Sequence, residues 1–209
     1  MSKKEIEFMV ESQIKARGIG DERIHRAFLE VDRRFFVPEE YISKSYGDHP
    51  VSIGSGQTIS QPAMVAEMLW EAQIKEGDKV LEVGSGSGYV LALLYKLGAN
   101  PFGIERIEEL ARKIPQNLKK AGIPEIPVKI GDGALGWGEN SPFDKIIVSA
   151  AAPYIPKQLI KQLKTGGIIV APIGSKYIQR LTVLKKSDEG TQTEQKTPCV
   201  FVPLISDKK

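Results

Sequence analysis

The hydrophobic positions divide the chain into three sections. In the first, 1–61, a helix-like stretch over 6–16 stops at Gly18-Ile19-Gly20, and Asp21 is placed to cap a second helix running to about Val31. An irregular stretch follows over 33–61, holding Pro38, Pro50, Gly47, Gly54 and Gly56. Irregular segments of that length inside compact domains are usually functional. The second section, 62–174, alternates. Met64, Val65, Met68, Leu69 and Ala72 share one helix face. Short apolar runs over 79–83, 101–104, 128–130, 145–149 and 167–171 read as strands, and stretches over 89–97, 107–121 and 155–163 as helices. Pro115 predicts a kink or a late start in the second of these helices. The third section, 175–209, reads as extended. Ile178, Leu181, Val183 and Leu184 mark one strand, 185–190 a polar turn and 199–205 another strand. This alternation predicts an α/β fold, a doubly wound and largely parallel sheet with a helical N-terminal extension and antiparallel C-terminal strands, in a single domain over 1–209. A ligand crevice is then expected beyond the carboxyl ends of the strands, near the first strand-to-helix turn.

Composition narrows the function classes. With 209 residues, 41% apolar and 26% charged, the chain can bury a sizeable core without staples. A net charge of +3 and the lack of a compact Lys/Arg block argue against nucleic acid; Lys3-Lys4 and Lys208-Lys209 read as solvated termini. One cysteine, Cys199, excludes an internal disulfide and a cysteine-rich metal site, and within the apolar run 199–202 it reads as a packed strand residue. His25 and His49 have no second ligand at metal-binding spacing, so no metal is expected. His25 reads as structural or surface, and His49 as a loop residue near an entrance. No apolar core of a signal peptide is evident at the start, and no run approaches the roughly 18 apolar residues of a membrane span. No membrane partner and a cytoplasmic location are therefore expected.

The candidate chemistry centres on Val80-Leu81-Glu82-Val83-Gly84-Ser85-Gly86-Ser87-Gly88-Tyr89 and on Glu105, one strand later. Glycines let the backbone approach a ligand closely, and an acid about 20 residues beyond such a turn can bond a ribose diol. A dinucleotide fingerprint needs a third glycine where Tyr89 stands, so a pyrophosphate would lack its close approach. Gly84-x-Gly86-x-Gly88 after the acid-bearing strand instead resembles motif I of the S-adenosylmethionine methyltransferases. The plainer alternative for Glu105 is a surface carboxylate paired with Arg106 or Lys113. Asp132, after the third strand, can accept from an adenine amino group or simply form a turn beside Gly131 and Gly133. Ser60, two residues before Pro62, fits a helix N-cap; a hydroxyl at a helix N-terminus also suits a bound carboxylate.

Longer segments are more specific. Gln13-Ile14-x-x-Arg17-Gly18-Ile19, Phe36-Val37-Pro38, and above all Ile53-Gly54-x-Gly56-Gln57-Thr58-Ile59-Ser60-Gln61-Pro62 resemble the protein-L-isoaspartate O-methyltransferase family. So do Gly131-Asp132-Gly133 with Gly136-Trp137, 142–148, Leu163-Lys164-x-Gly166-Gly167 and Phe201-Val202-Pro203-Leu204. The resemblance spans about 13–204. Ala63 and Ser85 depart from it, where an aromatic and a threonine are usual, which leaves local pocket detail open. The resemblance implies a Rossmann-like S-adenosylmethionine-dependent methyltransferase core over 62–174, a lid segment within 1–61 and C-terminal strands over 175–209. It implies S-adenosyl-L-methionine as cofactor, S-adenosyl-L-homocysteine as product, and isoaspartyl-containing proteins and peptides as substrates. A monomer is expected. Cofactor contacts are implied at Gln57, Thr58, Ile59, Ser60, Glu82, Gly84, Gly86, Ser87, Gly88, Glu105, Arg106, Asp132 and Gly133. Ser60 is implied as the carboxylate-orienting catalytic residue, with Ile59 and Val202 bordering the peptide.

The chemistry suits a chain with so few bases. An isoaspartyl α-carboxylate, with a pKa of roughly 3.5, is already ionised near neutral pH and needs orientation rather than deprotonation. Two rivals remain open from the residues alone: a small-molecule or RNA methyltransferase on the same fold, and a non-catalytic nucleotide-binding module.

Overall fold

The computed structural model describes residues 3–206; Lys208 and Lys209, read above as a solvated terminus, lie outside them. Helix α1 (Lys3–Met9) continues as a π-helical stretch over Val10–Ile14 and a 3₁₀ turn over Lys15–Arg17. Gly18 ends this run in the left-handed conformation, φ +81°. Asp21 caps α2 (Glu22–Glu30) by accepting from the Arg23 amide at 2.9 Å, as expected. Two 3₁₀ turns, Arg33–Phe36 and Glu39–Lys44, lead into a feature that the sequence presented only as irregular. Strands β1 (Val51–Gly54) and β2 (Gln57–Ile59) form an antiparallel hairpin with Val51 opposite Ile59. Its strands are short, with only Val51 and Ile53 of β1 and Ile59 of β2 buried, and its turn carries three successive positive φ angles at Gly54, Ser55 and Gly56.

The remaining elements are α3 (Pro62–Ala72), β3 (Lys79–Val83), α4 (Tyr89–Lys96), β4 (Asn100–Glu105), α5 (Glu108–Lys120), β5 (Val128–Ile130), β6 (Phe143–Val148), α6 (Lys157–Gln162), β7 (Leu163–Gly174), β8 (Gln179–Ser187) and β9 (Gly190–Cys199). Helix α5 starts at Glu108 and runs through Pro115, so its start is not delayed. Strands β3 to β9 make one sheet in the order β5-β4-β3-β6-β7-β8-β9, parallel from β5 to β7 and antiparallel at β8 and β9. The strand order reverses between β3 and β6, which opens a crevice at their carboxyl ends.

Alternate residues of the central strands feed two cores. Val80, Ile147, Ile168 and Val170 face the layer of α1 to α5, whereas Leu81, Val83, Ile146, Val148 and Ile169 face α6. Leu91, Leu93 and Leu94 of α4 are fully buried, each contributing roughly 1.5–3 kcal/mol. Among the described residues, no helix is long and apolar enough to cross a membrane.

The C-terminal section departs from expectation. The last strand is 190–199, not 199–205. Every β9 residue except Lys196 and Cys199 is exposed, so an edge strand held by main-chain pairing to β8 shows no apolar alternation. Cys199, at its end, is buried as expected. Beyond it the chain makes only an isolated bridge, Pro203 to Ala151, because Pro203 has no N–H to extend a ladder.

Arg33 ties these parts together. Its side chain is fully buried, and its guanidinium donates to the carbonyls of Ser45, His49 (3.5 Å) and Ser60 (3.0 Å). Above it the Tyr89 ring packs at 6.1 Å from Phe28 and 5.4 Å from Phe36. Arg33→Met keeps the volume but leaves these carbonyls without a donor, at about 1–3 kcal/mol for each one kept dry. A loss of at least about 2 kcal/mol is expected as a lower urea midpoint at unchanged m-value.

Candidate active site

The glycine turn curls over the end of β4: the amides of Gly84 and Ser85 both donate to the Ile104 carbonyl, at 2.8 and 3.1 Å. Gly84, Gly86 and Gly88 all have positive φ, which excludes most side chains without strain. Gly84 and Gly86 line a cleft of about 600 Å³. Gly88 does not. A Cβ there would stand 2.9 Å from Ile114, so this glycine lets α4 start close against α5.

Glu105 is buried beside the turn. One carboxylate oxygen accepts from the Gly86 amide and the other from the Ile107 amide, each at 2.8 Å. Lys113 pairs with Glu109 instead. Glu105 therefore braces the loop while its remaining lone pairs face a cavity it helps to line, an acceptor arrangement suited to vicinal hydroxyls. Gln57, Thr58, Arg106 and Gly133 line the same cleft, closed on one side by 202–205 of the tail. Asp132 stands next to Gly133 but outside the lining. Its carboxylate caps the following turn through the Ala134 amide at 2.9 Å and accepts from the Ser206 hydroxyl at 2.7 Å.

An inner pocket continues from the cleft toward α3, lined by Thr58, Ile59, Ser60, Glu82, Ser87 and Ser149 among others. Glu82 is fully buried there. Its Oε1 accepts from the Ser149 hydroxyl at 2.9 Å, and its Oε2 has no hydrogen-bond partner among the described residues. Burial pushes its carboxyl up to about 8; the Ser149 hydrogen bond opposes that rise and the nearby Glu105 charge adds to it. A buried carboxyl with an unpaired oxygen beside a cavity fits a cationic ligand group such as an α-ammonium, whose charge would favour the ionised form that burial disfavours.

A third space, an open groove of about 960 Å³, runs between the start of α3 and residues 197–202, with Arg17, Pro50, Ser60 and Val202 on its walls. Ser60 does not cap α3. Gln61 holds the cap position with Pro62 following it, and the Ala63 amide donates to Asp48 at 3.3 Å. One amide of the helix N-terminus is thus already taken, and the Ser60 hydroxyl is released from that duty. The Ser60 carbonyl is fixed by Arg33. The Val202 carbonyl accepts from Ala151 at 2.8 Å, which holds the tail between cleft and groove. His25 is buried with Nε2 2.6 Å from the Ile19 carbonyl, away from these cavities, and His49 lies in an exposed loop.

Sequence reasoning missed Ser149, Ile53 and 203–205. Ser149 closely follows β6 and sits opposite the glycine turn, a position that the strand order marks as ligand-facing. Ile53 reaches over the turn, 3.1 Å from where a Gly86 Cβ would stand.

The sequence pattern of the protein-L-isoaspartate(D-aspartate) O-methyltransferase (PCMT) family matches residues 4–209. A protein-L-isoaspartate O-methyltransferase of Petrotoga mobilis is 46% identical over 98% of this chain and 97% of its own. A solved protein-L-isoaspartate O-methyltransferase superposes with a TM-score of 0.88 at 27% identity, covering 97% of this chain and 66% of that one. A Plasmodium falciparum structure described as a protein-L-isoaspartate O-methyltransferase, in complex with S-adenosyl-L-homocysteine, gives a TM-score of 0.82 at 29% identity. The match covers 94% of this chain and 96% of that one.

Glu82 makes a pH prediction. Between 4.5 and about 8 the folded chain holds a proton on this carboxyl that the unfolded chain has released. Its contribution to stability therefore falls as pH rises through that window. Glu82→Gln is expected to flatten the pH dependence of the urea midpoint between about pH 5.5 and pH 7, roughly one unit inside each limit.

Proposed function

The chain belongs to the protein-L-isoaspartate(D-aspartate) O-methyltransferase family, and on that premise we propose how its own residues carry out the family's reaction. The enzyme transfers a methyl group from S-adenosyl-L-methionine to the free α-carboxylate of L-isoaspartyl residues in damaged proteins and peptides. The resulting ester collapses to a succinimide, whose hydrolysis partly restores normal aspartate.

The observation that carries the residue assignment is the meeting of three spaces. Thr58 and Ser149 line the cleft, the inner pocket and the groove alike. A donor held in the cleft and a carboxylate held in the groove would face each other there.

The residues present fit the cofactor. Glu105 would hold the ribose hydroxyls, Gly84 and Gly86 would admit the chain close to the backbone, and the unpaired Glu82 oxygen would take the α-ammonium. Gln57, Thr58, Ile59, Ser87, Arg106 and Gly133 would complete the walls. Asp132 would meet the adenine edge only by sharing the carboxylate that Ser206 now occupies. Gly88 would serve from behind, through helix packing. When bound, S-adenosyl-L-methionine supplies an electrophilic methyl on a sulfonium.

What remains for the protein is placement and water exclusion. The Ser60 hydroxyl, fixed through its own backbone by Arg33, would donate to the isoaspartyl carboxylate and set its angle. Ile59 and Val202 would border the peptide, and the β1–β2 hairpin, with Ile53 over Gly86, would keep water out. Orientation of this kind lowers a barrier by about 7–11 kcal/mol without a general base. The reading needs neither nucleic acid nor membrane, and one chain supplies every residue assigned.

The test uses radiolabelled S-adenosyl-L-methionine and two peptides differing only in one L-isoaspartyl or normal L-aspartyl linkage. Base-labile label on the isoaspartyl peptide alone is expected; equal labelling of both would overturn the substrate assignment. Ser60→Ala is expected to lower kcat/KM by about 10²-fold, as loss of one orienting donor does. S-adenosyl-L-homocysteine affinity should stay nearly unchanged. A fall in kcat/KM of less than about threefold, roughly 0.6 kcal/mol, would remove Ser60 from its role.

A further inference from the structure

Ser149 occupies a singular place in the fold. Its amide donates to the Val83 carbonyl at 2.8 Å, which sets it beside the first residue of the glycine turn, where the strand order reverses. Its carbonyl carbon stands 3.7 Å from where a Gly84 Cβ would be. It borders cleft, inner pocket and groove. Its hydroxyl hydrogen is committed to Glu82 Oε1 at 2.9 Å. The other Glu82 oxygen is buried and has no partner among the described residues.

A carboxylate on a flexible side chain can rotate, and one fixed oxygen determines where the second points. Apart from the hydroxyls of Ser85 and its serine, threonine and tyrosine neighbours, the pocket around Glu82 is apolar, with Val65 and Met68 of α3 and Val90 of α4 on its wall. The charged neighbour acting on it is Glu105 from β4, which repels it. The Ser85 hydroxyl lies 3.5 Å from the Glu82 main-chain carbonyl. The Ser149 and Ser85 hydroxyls both favour the ionised carboxyl, Ser149 the more strongly, and Ser149 is the one bonded to Oε1 at 2.9 Å, so its bond orients the carboxylate.

We propose that Ser149 is a positioning residue for methyl transfer, orienting the Glu82 carboxylate toward the cofactor's α-ammonium and so setting how the donor end faces Ser60. The proposal rests on the cofactor reading above. The lone pairs left on the Ser149 oxygen provide a second acceptor beside Glu82 Oε2, so the ammonium meets two acceptors fixed relative to each other.

The test is calorimetric. S-adenosyl-L-homocysteine and its analogue lacking the α-amino group are titrated into the wild-type chain, Ser149→Ala, Ser149→Thr, Glu82→Gln and the double variant Ser149→Ala with Glu82→Gln. Ser149→Ala is expected to weaken S-adenosyl-L-homocysteine by about tenfold, the scale of a hydrogen bond to a charged group. The desamino analogue should change by less than about twofold, and Ser149→Thr should restore most of the affinity because it returns the hydroxyl. In Ser149→Ala with Glu82→Gln the two losses should be strongly non-additive, since one acts through the other. In turnover, the KM for S-adenosyl-L-methionine should rise with the KM for the isoaspartyl peptide unchanged. Equal losses for both ligands, or additive losses in the double variant, would reduce Ser149 to a strand-end support and overturn the proposal. Failure of the wild-type chain to bind S-adenosyl-L-homocysteine would instead overturn the cofactor reading, and the Ser149 role with it. Binding by wild type that Ser149→Ala leaves intact would sink the Ser149 role alone.

Discussion

A buried guanidinium organises the molecule around its site. Arg33 has no solvent to fall back on, and it reaches carbonyls at both ends of the 45–49 loop and at Ser60, two residues before α3. Burying a cation is costly unless its donors are used, so the carbonyls cannot drift without stranding the charge. That constraint converts the long irregular stretch between α2 and α3 into a fixed strap. It places Ser60, the β1–β2 hairpin and the start of α3 together before any ligand arrives. Asp48 completes the arrangement, pairing with Arg17 at 2.7 Å and taking the Ala63 amide.

The opposite wall depends on a carboxylate. Glu105 holds the glycine turn and the start of α5 with one oxygen each, so the loop that lines the cleft is braced by a residue that lines it too. The tail closes the third side through paired bonds to Ala151 and the contact between Ser206 and Asp132. These walls come from the helical extension, the sheet and the C-terminal tail, so the cleft exists only in the folded chain.

Glu82 is a buried acid in a layer that an apolar residue would fill more easily. A leucine would fill the same layer without an orphaned oxygen, yet the acid is buried with one hydrogen bond and a neighbouring like charge. Such groups persist where a ligand supplies the missing partner. The hydroxyl-bearing Ser60 and Ser149 flank the same inner pocket.

Much was legible from residues alone. The apolar runs of β3 and β6 and the one-faced pattern of α3 announced the parallel core, because buried parallel strands read as continuous hydrophobic stretches. Gly84, Gly86 and Glu105 announced the crevice, because backbone conformation and spacing along one strand-turn-helix unit are local properties. The Gln57-Thr58-Ile59-Ser60 segment carried the family. Other features depend on distant parts of the chain. An exposed edge strand such as β9 shows no alternation, because pairing with β8 rather than side-chain burial holds it. Which residue caps α3 was decided by Asp48, fifteen positions before the amide it accepts. That Gly88 packs against α5, that Asp132 meets Ser206, and that Ser149 lies against Glu82 across 67 positions of sequence are outcomes of closure. Local spacing determined the strand-turn-helix chemistry. Only tertiary structure decided which oxygens are left unpaired, since partners are chosen by proximity in space.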